Sequence, residues 1–162
     1  MPSQNELQTL ADVSAFLSKE ADMLDHKEYE DWLSLWSSTG LYIVPVDHNQ
    51  TDYKNSLNVA YDDASMRKMR VSRLSSGEAV STQGAGLTVR TLSRIRILKE
   101  DNDLLSVRCA YCLYENNKNG LRSFPANVSF KLRRQGEAFE IEEKVVKVMK
   151  SDQYLTTVSY LF

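Results

Sequence analysis

A chain of 162 residues, of which 42% are apolar and 26% charged, has an ordinary globular composition and enough length to bury its own core. We therefore expect a single domain spanning residues 1–162. No run of apolar residues approaches the roughly 20 that a membrane-spanning helix needs. Residues 1–8 are polar and lack the basic and apolar regions of a secretion signal, so we expect a cytoplasmic protein.

The net charge of −2 conceals an uneven distribution of charge along the chain. Residues 1–63 contain 12 acidic and 3 basic residues, whereas residues 64–162 contain 10 acidic and 17 basic ones. The basic residues are spread over several predicted elements, without an aromatic RNA-binding signature or a DNA-binding helix pair. Nucleic-acid binding is therefore not expected, and charge complementarity within the molecule or between subunits is the simpler interpretation.

Two helices are predicted near the start of the chain. The first covers about residues 7–24, because apolar side chains recur there at steps of three and four residues. These apolar positions are Leu10, Val13, Leu17, Ala21 and Leu24. A short second helix is predicted to begin at Asp25, which is followed by Glu28 at the spacing of a capping box. Apolar positions through Trp36 extend this helix, and residues 37–40 would end it.

A short strand is predicted at residues 41–46 and a polar loop at residues 47–55. A third helix is then predicted, capped by residues 61–63 and ended by Gly77. Residues 80–86 are predicted to form a loop or a frayed entry to the next strand. Its apolar residues are expected to face the core, and its basic residues the solvent. The inward set is Met66, Met69 and Leu74, and the outward set is Arg67, Lys68, Arg70 and Arg73.

The second half of the chain is predicted to form four long antiparallel strands. One covers residues 87–99, and three more lie within residues 104–150, because apolar and polar residues alternate in each. Turns containing Gly120 and Gly136 join the last three strands as a meander. A change of parity in the last strand predicts a β-bulge within residues 142–145.

Two of these strands contain positions with particular expectations. In the first strand, Val89 and Ile95 are predicted to share the apolar face, and Arg90 and Arg94 the polar face. Pro125 lacks a backbone N–H group, so an edge, a bend or a bulge is expected where it lies.

Helices followed by long antiparallel strands indicate an α+β domain in which a strongly curved sheet wraps around the helices. Such an arrangement forms a cone. A cone can enclose a small-molecule pocket, and any catalytic site of this chain would be expected there.

Metal-binding and nucleophile motifs are not found in the sequence. His26 and His48 are the only histidines, and neither has a second ligand at a spacing used by zinc sites or Rieske clusters. Cys109 and Cys112 would point to opposite faces of one strand, so we predict two buried, reduced thiols. There is no Gly-x-Ser-x-Gly elbow and no glycine-rich phosphate loop.

The remaining candidates for chemistry are acidic residues and tyrosines that could meet in a pocket. They are Asp25, Asp62, Asp63, Tyr42 and Tyr61. A pocket carboxylate together with a tyrosine could catalyse isomerisation or dehydration. The three aspartates also fall where helix caps are predicted, and that structural role is the simpler interpretation.

Three groups of residues, distributed over nearly the whole chain, form an extended pattern. The first contains Phe16, Leu17, Glu20, Ala21, Leu24, Asp25, Tyr29, Trp32, Leu33, Tyr42, Pro45 and Val46. The second contains Tyr61, Asp62, Asp63, Met66, Arg70, Arg73, Leu74, Ser76 and Gly77. The third contains Ser151, Asp152, Gln153, Leu155 and residues 159–162. Together they resemble the small (β) subunits of aromatic-ring-hydroxylating dioxygenases.

This resemblance implies a cystatin-like, nuclear-transport-factor-like roll, which agrees with the cone expected from the residue patterns. It also implies assembly with a large (α) subunit as an α3β3 hexamer, in which the β subunits form a trimeric base. The α subunit of the family carries the Rieske [2Fe–2S] cluster and the mononuclear iron, and the β subunit holds no cofactor. The assembled enzyme converts an aromatic compound to a cis-dihydrodiol with O2 and electrons from NADH.

The sequence departs from the family in one segment. Family members often have a proline- and serine-rich stretch ending in Thr-Arg between the third helix and the next strand. Here residues 81–90 contain no proline, and Arg90 follows Thr88 after one intervening residue. We expect the contacts of this loop to differ from those of the family.

Two functional hypotheses follow. The first is a non-catalytic assembly subunit, which predicts a cone interior closed by core side chains. The second is a stand-alone dehydratase or isomerase with a pocket carboxylate and tyrosine, which predicts an open, ligand-sized cavity. For the first hypothesis, the predicted subunit-interface residues are Tyr61, Asp62, Arg70, Arg73, Arg90 and Arg94.

Overall fold

The computed structural model of the chain describes residues 1–76, 87–149 and 161–162. The element bounds in chain order are α1 Gln4–Asp25, α2 Tyr29–Leu33, β1 Trp36–Pro45, a 3₁₀ turn Tyr53–Asn55, β2 Asn58–Asp62, α3 Ala64–Ser76, β3 Leu87–Asp101, β4 Leu104–Asn117, β5 Gly120–Gln135 and β6 Ala138–Val148. Within these ranges, no helix combines the length and apolar character needed to cross a membrane.

The described strands form one sheet with the order β2-β1-β6-β5-β4-β3. The four long strands are antiparallel neighbours in chain order, as the meander prediction required. β1 pairs in parallel with β6, and β2 pairs antiparallel with β1. The apolar faces of β4 and β5 and the helices share one hydrophobic core, which confirms the predicted α+β roll.

Helix α1 lies against the sheet through the apolar stripe that the sequence predicted. Ser3 caps the helix by accepting a hydrogen bond from the Glu6 amide at 3.2 Å, and the Glu6 carboxylate accepts one from the Ser3 amide at 2.6 Å. Val13 and Leu17 are completely buried. Leu10 is 37% exposed, so the buried stripe begins one turn later than predicted.

The predicted second helix is wrong in its start and its length. Asp25 is the last residue of α1, and no side chain caps α2, whose N-cap residue is Glu28. Trp36 belongs to β1, as do the residues predicted to end the helix. Gly40 explains part of this pairing, because a Cβ atom there would lie 2.6 Å from the Ile141 carbonyl oxygen on β6. Only glycine permits that close approach.

The third helix also begins later than predicted. Residues 61 and 62 form the end of β2, a strand that the sequence analysis missed, and only Asp63 caps α3, by accepting from the Met66 amide at 2.9 Å. The helix is rotated from its predicted orientation, since Met66 and Met69 are exposed and Arg67 is buried. Gly77, which was predicted to end this helix, lies outside the described residues.

The Arg67 guanidinium explains the orientation of α3. It donates to the carbonyl oxygens of Gly40 and, at 3.2 Å, Asp62, and its Cζ lies 4.2 Å from the centre of the Trp36 ring. Burial lowers the pKa of Arg67. These contacts join α3 to β1 and β2. Losing the Arg67 contacts would cost more free energy than exposing Met66 and Met69 to solvent does.

Three strand predictions have different outcomes. The bulge in β6 is confirmed, because Lys131 pairs with Glu143 and Leu132 pairs with Ile141, leaving Glu142 as the extra residue. Pro125 does not lie on an edge strand or at a bulge, since β5 is interior and its register with β4 is continuous. The Pro125 carbonyl accepts from Met149 just past the last β5–β6 pair, so its missing N–H faces the end of that ladder.

The predicted parity of β3 is wrong at its start. Val89 is 57% exposed and Arg90 is buried. Arg94 has a φ of 55°, and the register shifts between Ser93 and Arg96. This irregularity reverses the parity, so that Arg90 and Ile95 both face α1 although they are an odd number of residues apart.

Candidate functional site

The interior of the cone is the site where a catalytic pocket was expected, and aromatic side chains fill one wall of it. Trp32, Trp36 and Tyr42 contact one another edge to face, with ring centroids 5.3–6.4 Å apart. Each of the three is at most 7% exposed. This wall is therefore packed core.

A buried ion pair crosses the centre of the interior. Lys144 on β6 donates to the Glu20 carboxylate on α1, and the two side chains are 0% and 2% exposed. The Lys144 ammonium also lies 5.6 Å from the Phe130 ring centre and 5.7 Å from that of Tyr111. Burial lowers the pKa of Lys144, and the Glu20 carboxylate opposes that effect.

Arg90 forms a second polar cluster between α1 and β3. Its guanidinium donates to the Asp25 carboxylate and, at 2.7 Å, to the Tyr111 hydroxyl, while its backbone amide donates to Asp25 at 2.8 Å. Asp25 also accepts from Thr88 at 3.1 Å. The pKa of Tyr111 is raised by burial, so its hydroxyl stays protonated.

Leu161 and Phe162 occupy the space between these two clusters, and both are 2% exposed. The Phe162 amide donates to the Tyr42 hydroxyl at 2.9 Å, and its carbonyl oxygen accepts from Lys144 at 2.5 Å. Arg90 donates to the Leu161 carbonyl oxygen. The interior is thus closed by side chains and by this segment.

Of the five acid–base candidates, the fold brings Tyr42 and Asp62 together as partners across β1 and β2, and each is 1% exposed. The Asp62 carboxylate is bound by Arg70, so this pair offers no free carboxylate. Asp25 binds Arg90, and the Tyr42 hydroxyl accepts from Phe162. The helix-cap interpretation is wrong for Asp25 and Asp62, and it is confirmed for Asp63. Tyr61 is half-buried on β2, beside Asp62.

Two grooves lie between α1 and β3. One, of about 430 Å³, is lined by Leu7 and Leu10 on α1 and by the second half of β3. The other, of about 600 Å³, lies where α1 ends and β3 begins, and it contains Asp25 and His26. Asp25 is already engaged by Arg90, and the Nδ1 atom of His26 lies 2.9 Å from the Asp22 carbonyl oxygen. This groove therefore offers no free carboxylate beside a tyrosine.

Among the described residues, no group of three histidine, cysteine, aspartate or glutamate side chains could hold a metal ion. His26 lies at the end of α1 and not in the first turn of a helix as predicted. Cys109 and Cys112 are both free, with Cys109 on the buried face of β4. Cys112 is only half-buried, so the prediction of two buried thiols is confirmed for Cys109 alone.

We expect the two thiols to differ in reactivity. Burial raises the pKa of Cys109 to about 11, so at neutral pH its thiolate is scarce and shielded. Iodoacetamide should modify Cys112 in the native chain, and Cys109 only after unfolding in urea, as measured by mass spectrometry of peptides. Equal modification of both thiols in the folded chain would contradict the buried position of Cys109.

Four of the six predicted interface residues lie at the β2 edge of the sheet. Asp62 is 1% exposed and binds Arg70 through two bonds, of 2.6 and 3.0 Å. The hydrogen bond to Asp62 raises the pKa of Arg70. Arg73 is exposed on α3, and Tyr61 is half-buried.

The other two predicted interface residues lie on β3, at the opposite edge of the sheet. The Arg90 side chain is buried and binds Asp25. Arg94 is exposed and donates to the Asn127 side chain at 2.6 Å. The fold therefore separates the six residues into two groups.

Among the described residues, sequence reasoning missed four buried charged residues: Glu20, Arg67, Glu115 and Lys144. Glu20 lies on the apolar stripe of α1, three residues after Leu17, which was a usable signal. The bulge at Glu142 places Lys144 opposite Phe130 on the inner face, so the parity change also indicated it. No local pattern indicated Arg67, whose partners are distant in sequence.

Comparisons with known proteins place the chain in a family. The family model described as the ring hydroxylating beta subunit matches residues 19–152. The small oxygenase component of the p-cumate 2,3-dioxygenase system of Pseudomonas putida is 30% identical over 138 residues, covering 84% of this chain and 77% of that protein. The small subunit of anthranilate 1,2-dioxygenase of Acinetobacter baylyi is 25% identical over 139 residues, covering 82% and 84%.

The fold is similar to that of a solved relative. The crystal structure of the β subunit of benzoate 1,2-dioxygenase from Burkholderia mallei superposes with a TM-score of 0.76 at 21% identity, covering 93% of this chain and 96% of that one. The family match spans most of the chain and includes both buried ion pairs of the cone. The chain therefore belongs to the family of β (small) subunits of aromatic-ring-hydroxylating dioxygenases.

Proposed function

We propose that this chain is the structural subunit of an α3β3 aromatic-ring-hydroxylating dioxygenase and that it contributes no catalytic group. Its partner would be a large α subunit carrying a Rieske [2Fe–2S] cluster and a mononuclear iron. The complex would convert an aromatic compound to a cis-dihydrodiol with O2 and NADH-derived electrons. Because NADH supplies the electrons, the proposed location is the cytoplasm.

The observation that carries this proposal is the occupied interior of the cone. A stand-alone dehydratase or isomerase needs a cavity in which a carboxylate and a tyrosine reach a ligand. Here Asp25 binds Arg90, and the Tyr42 hydroxyl accepts from the amide of Phe162, which is 2% exposed. The interior therefore supports a role in assembly.

The outer face of the sheet supports self-association as a trimer. Apolar side chains are exposed there near one end of β3, β4 and β5. They are Leu87, Val89, Tyr114 and Leu121, with exposed fractions of 82, 57, 38 and 71%. Val89 pairs with Tyr114, and Asn116 pairs with both Leu87 and Leu121, so these residues are neighbours. A contiguous exposed apolar surface of this kind is typical of protein interfaces.

The proposal is tested by producing the chain alone and with its large subunit. Light scattering should give three chains of 18.5 kDa for the isolated protein, and the isolated protein should show no dioxygenase activity. Co-expression should give a hexamer that oxidises its substrate, and omission of this chain should reduce recovery of the large subunit. Failure to co-purify with the large subunit would refute the proposal.

We propose that the predicted interface residues act in two ways. Arg73 and Arg94 present exposed guanidinium groups, while Tyr61, Asp62, Arg70 and Arg90 position the surfaces around them. The Arg73→Glu substitution is the cleaner test, because reversing the charge of Arg70 would leave the buried Asp62 without its partner.

Arg73→Glu is expected to weaken hexamer assembly by about fivefold or more, because a charge reversal replaces an attraction by a repulsion at the interface. Co-elution with the large subunit on a sizing column measures the effect. Lys68→Glu is the matched control, since it makes the same charge change about 140° around the same helix. Unchanged assembly of the Arg73→Glu variant would remove Arg73 from the interface.

A further inference from the structure

The Leu161–Phe162 segment is held in the cone by polar groups from three separate strands. The Tyr42 hydroxyl on β1 accepts from the Phe162 amide at 2.9 Å, and Lys144 on β6 donates to the Phe162 carbonyl at 2.5 Å. Arg90 on β3 donates to the Leu161 carbonyl. Three main-chain polar groups of two consecutive residues are therefore recognised individually.

The side chain of Phe162 also packs against another aromatic side chain in the interior. Its ring contacts Phe124 on β5 edge to face, with centroids 6.0 Å apart and an interplanar angle of 74°. An aromatic wall combined with a few convergent polar groups is the usual composition of a small-molecule site. The two residues thus have the contacts of a bound ligand.

We propose that the cone interior is a binding site occupied by the chain's own Leu161–Phe162 segment, and that it accepts a capped peptide with an aromatic side chain, such as N-acetyl-Leu-Phe amide, when that segment is absent. This proposal goes beyond the proposed assembly role, which rests on the same occupied interior. Tyr42, Lys144 and Arg90 supply the hydrogen bonds, and Phe124 supplies the ring contact.

The buried charges explain why such a ligand is selected over a hydrocarbon. Without the segment, Lys144 keeps Glu20 and Arg90 keeps Asp25, but each loses a carbonyl acceptor. A buried donor without an acceptor is unfavourable, so a ligand with two amide carbonyls and an N–H group satisfies the site better than an apolar molecule.

The test uses a variant that ends at Tyr160, with N-acetyl-Leu-Phe amide as the probe in isothermal titration calorimetry. We expect one peptide to bind per shortened chain, at least about tenfold more tightly than to the full chain, whose own segment competes at high effective concentration. N-acetyl-Leu-Ala amide, which lacks the ring, should bind the shortened chain at least about tenfold more weakly. No saturable binding to a folded shortened chain, or equal binding to both chains, would overturn the proposal.

A second substitution separates recognition from simple filling of space. In the shortened chain, Tyr42→Phe removes the hydroxyl acceptor but retains the ring, and should lower the affinity for the peptide by about two- to tenfold. The same substitution should leave the binding of toluene, which has no N–H group, unchanged. An equal effect on both probes would contradict recognition of the amide.

If the shortened chain does not fold by itself, the Phe162→Ala variant of the full chain tests whether Phe162 occupies a ligand site. This variant keeps the main-chain bonds and removes only the ring, leaving an apolar cavity against Phe124. Toluene should raise its thermal midpoint and should not change that of the unmodified chain. No rise in the variant, or the same rise in both proteins, would show that Phe162 does not occupy a ligand site.

Discussion

Replacing Glu20 with leucine is expected to lower the free energy of unfolding by about 3–5 kcal/mol, although leucine would extend the apolar stripe of α1. The reason is that Lys144 is fully buried and would lose the carboxylate that compensates its charge. The Phe162 carbonyl oxygen would still accept a hydrogen bond from the Lys144 ammonium, but it carries no compensating charge. Lys144→Met should cost a similar amount, because it leaves Glu20 buried without its cation.

The double variant Glu20→Leu/Lys144→Met distinguishes a charge effect from a packing effect. Removing both charges should recover most of the loss, since a buried ion pair is often replaceable by apolar residues of similar volume. Urea unfolding of the four proteins gives the coupling energy. Lys19→Met is the matched control for loss of one lysine charge, because Lys19 is exposed beside Glu20 on the same helix. Single variants that each cost less than about 1 kcal/mol would mean that the pair is solvated.

Arg90→Met is the second substitution with a large expected effect, again about 3–5 kcal/mol of unfolding free energy. It removes the cation from Asp25 and the donors to the Tyr111 hydroxyl and the Leu161 carbonyl. The methionine can fill much of the space, so the loss measures chiefly the buried polar groups left without partners.

The Arg90 prediction is checked by chemical unfolding of the isolated chain. Arg96→Met is the matched control on the same strand, and because Arg96 is exposed its replacement should change the stability by no more than about 0.5 kcal/mol. Arg90→Lys should fall between the two, since lysine restores the charge but not the planar set of donors. If Arg90→Met has no more effect than Arg96→Met, the buried cluster does not stabilise the fold.

In the described part of the chain, two buried clusters occupy the interior of the cone, where a pocket was expected. Each cluster ties α1 to a different strand, Glu20 to β6 and Asp25 to β3. Both also bind the Leu161–Phe162 segment. Groups that could serve as acid and base in a pocket instead hold the helix and this segment in place, which suits a subunit whose role is structural.

Much of the sheet was predictable because a half-buried strand imposes a period of two on its sequence. The buried residues of β4 and β5 are those that the alternation indicated, from Leu105 to Leu113 and from Phe124 to Leu132. The bulge in β6 was visible as a change of parity. In contrast, β2 has only five residues and a polar residue at each end, which is too short for a period of two to be recognised.

The sites were predicted less well, because each depends on a contact between residues far apart in sequence. Arg67 follows the pattern of a solvated arginine, yet its guanidinium reaches Gly40, 27 residues away. Arg90 was predicted to face outward, and the irregularity at Arg94 turned it inward. A positive φ at a single arginine has no clear signature in the sequence.

The sequence by itself determined the fold class, the four long strands and the family, because these follow from local periodicity and from residue patterns spread along the whole chain. The tertiary structure decided which charged residues are buried, which of the candidate residues meet, and what occupies the cone. Burial and ion pairing depend on where distant segments come together, so Lys144 and Glu20, 124 positions apart, acquire their role only when β6 packs against α1.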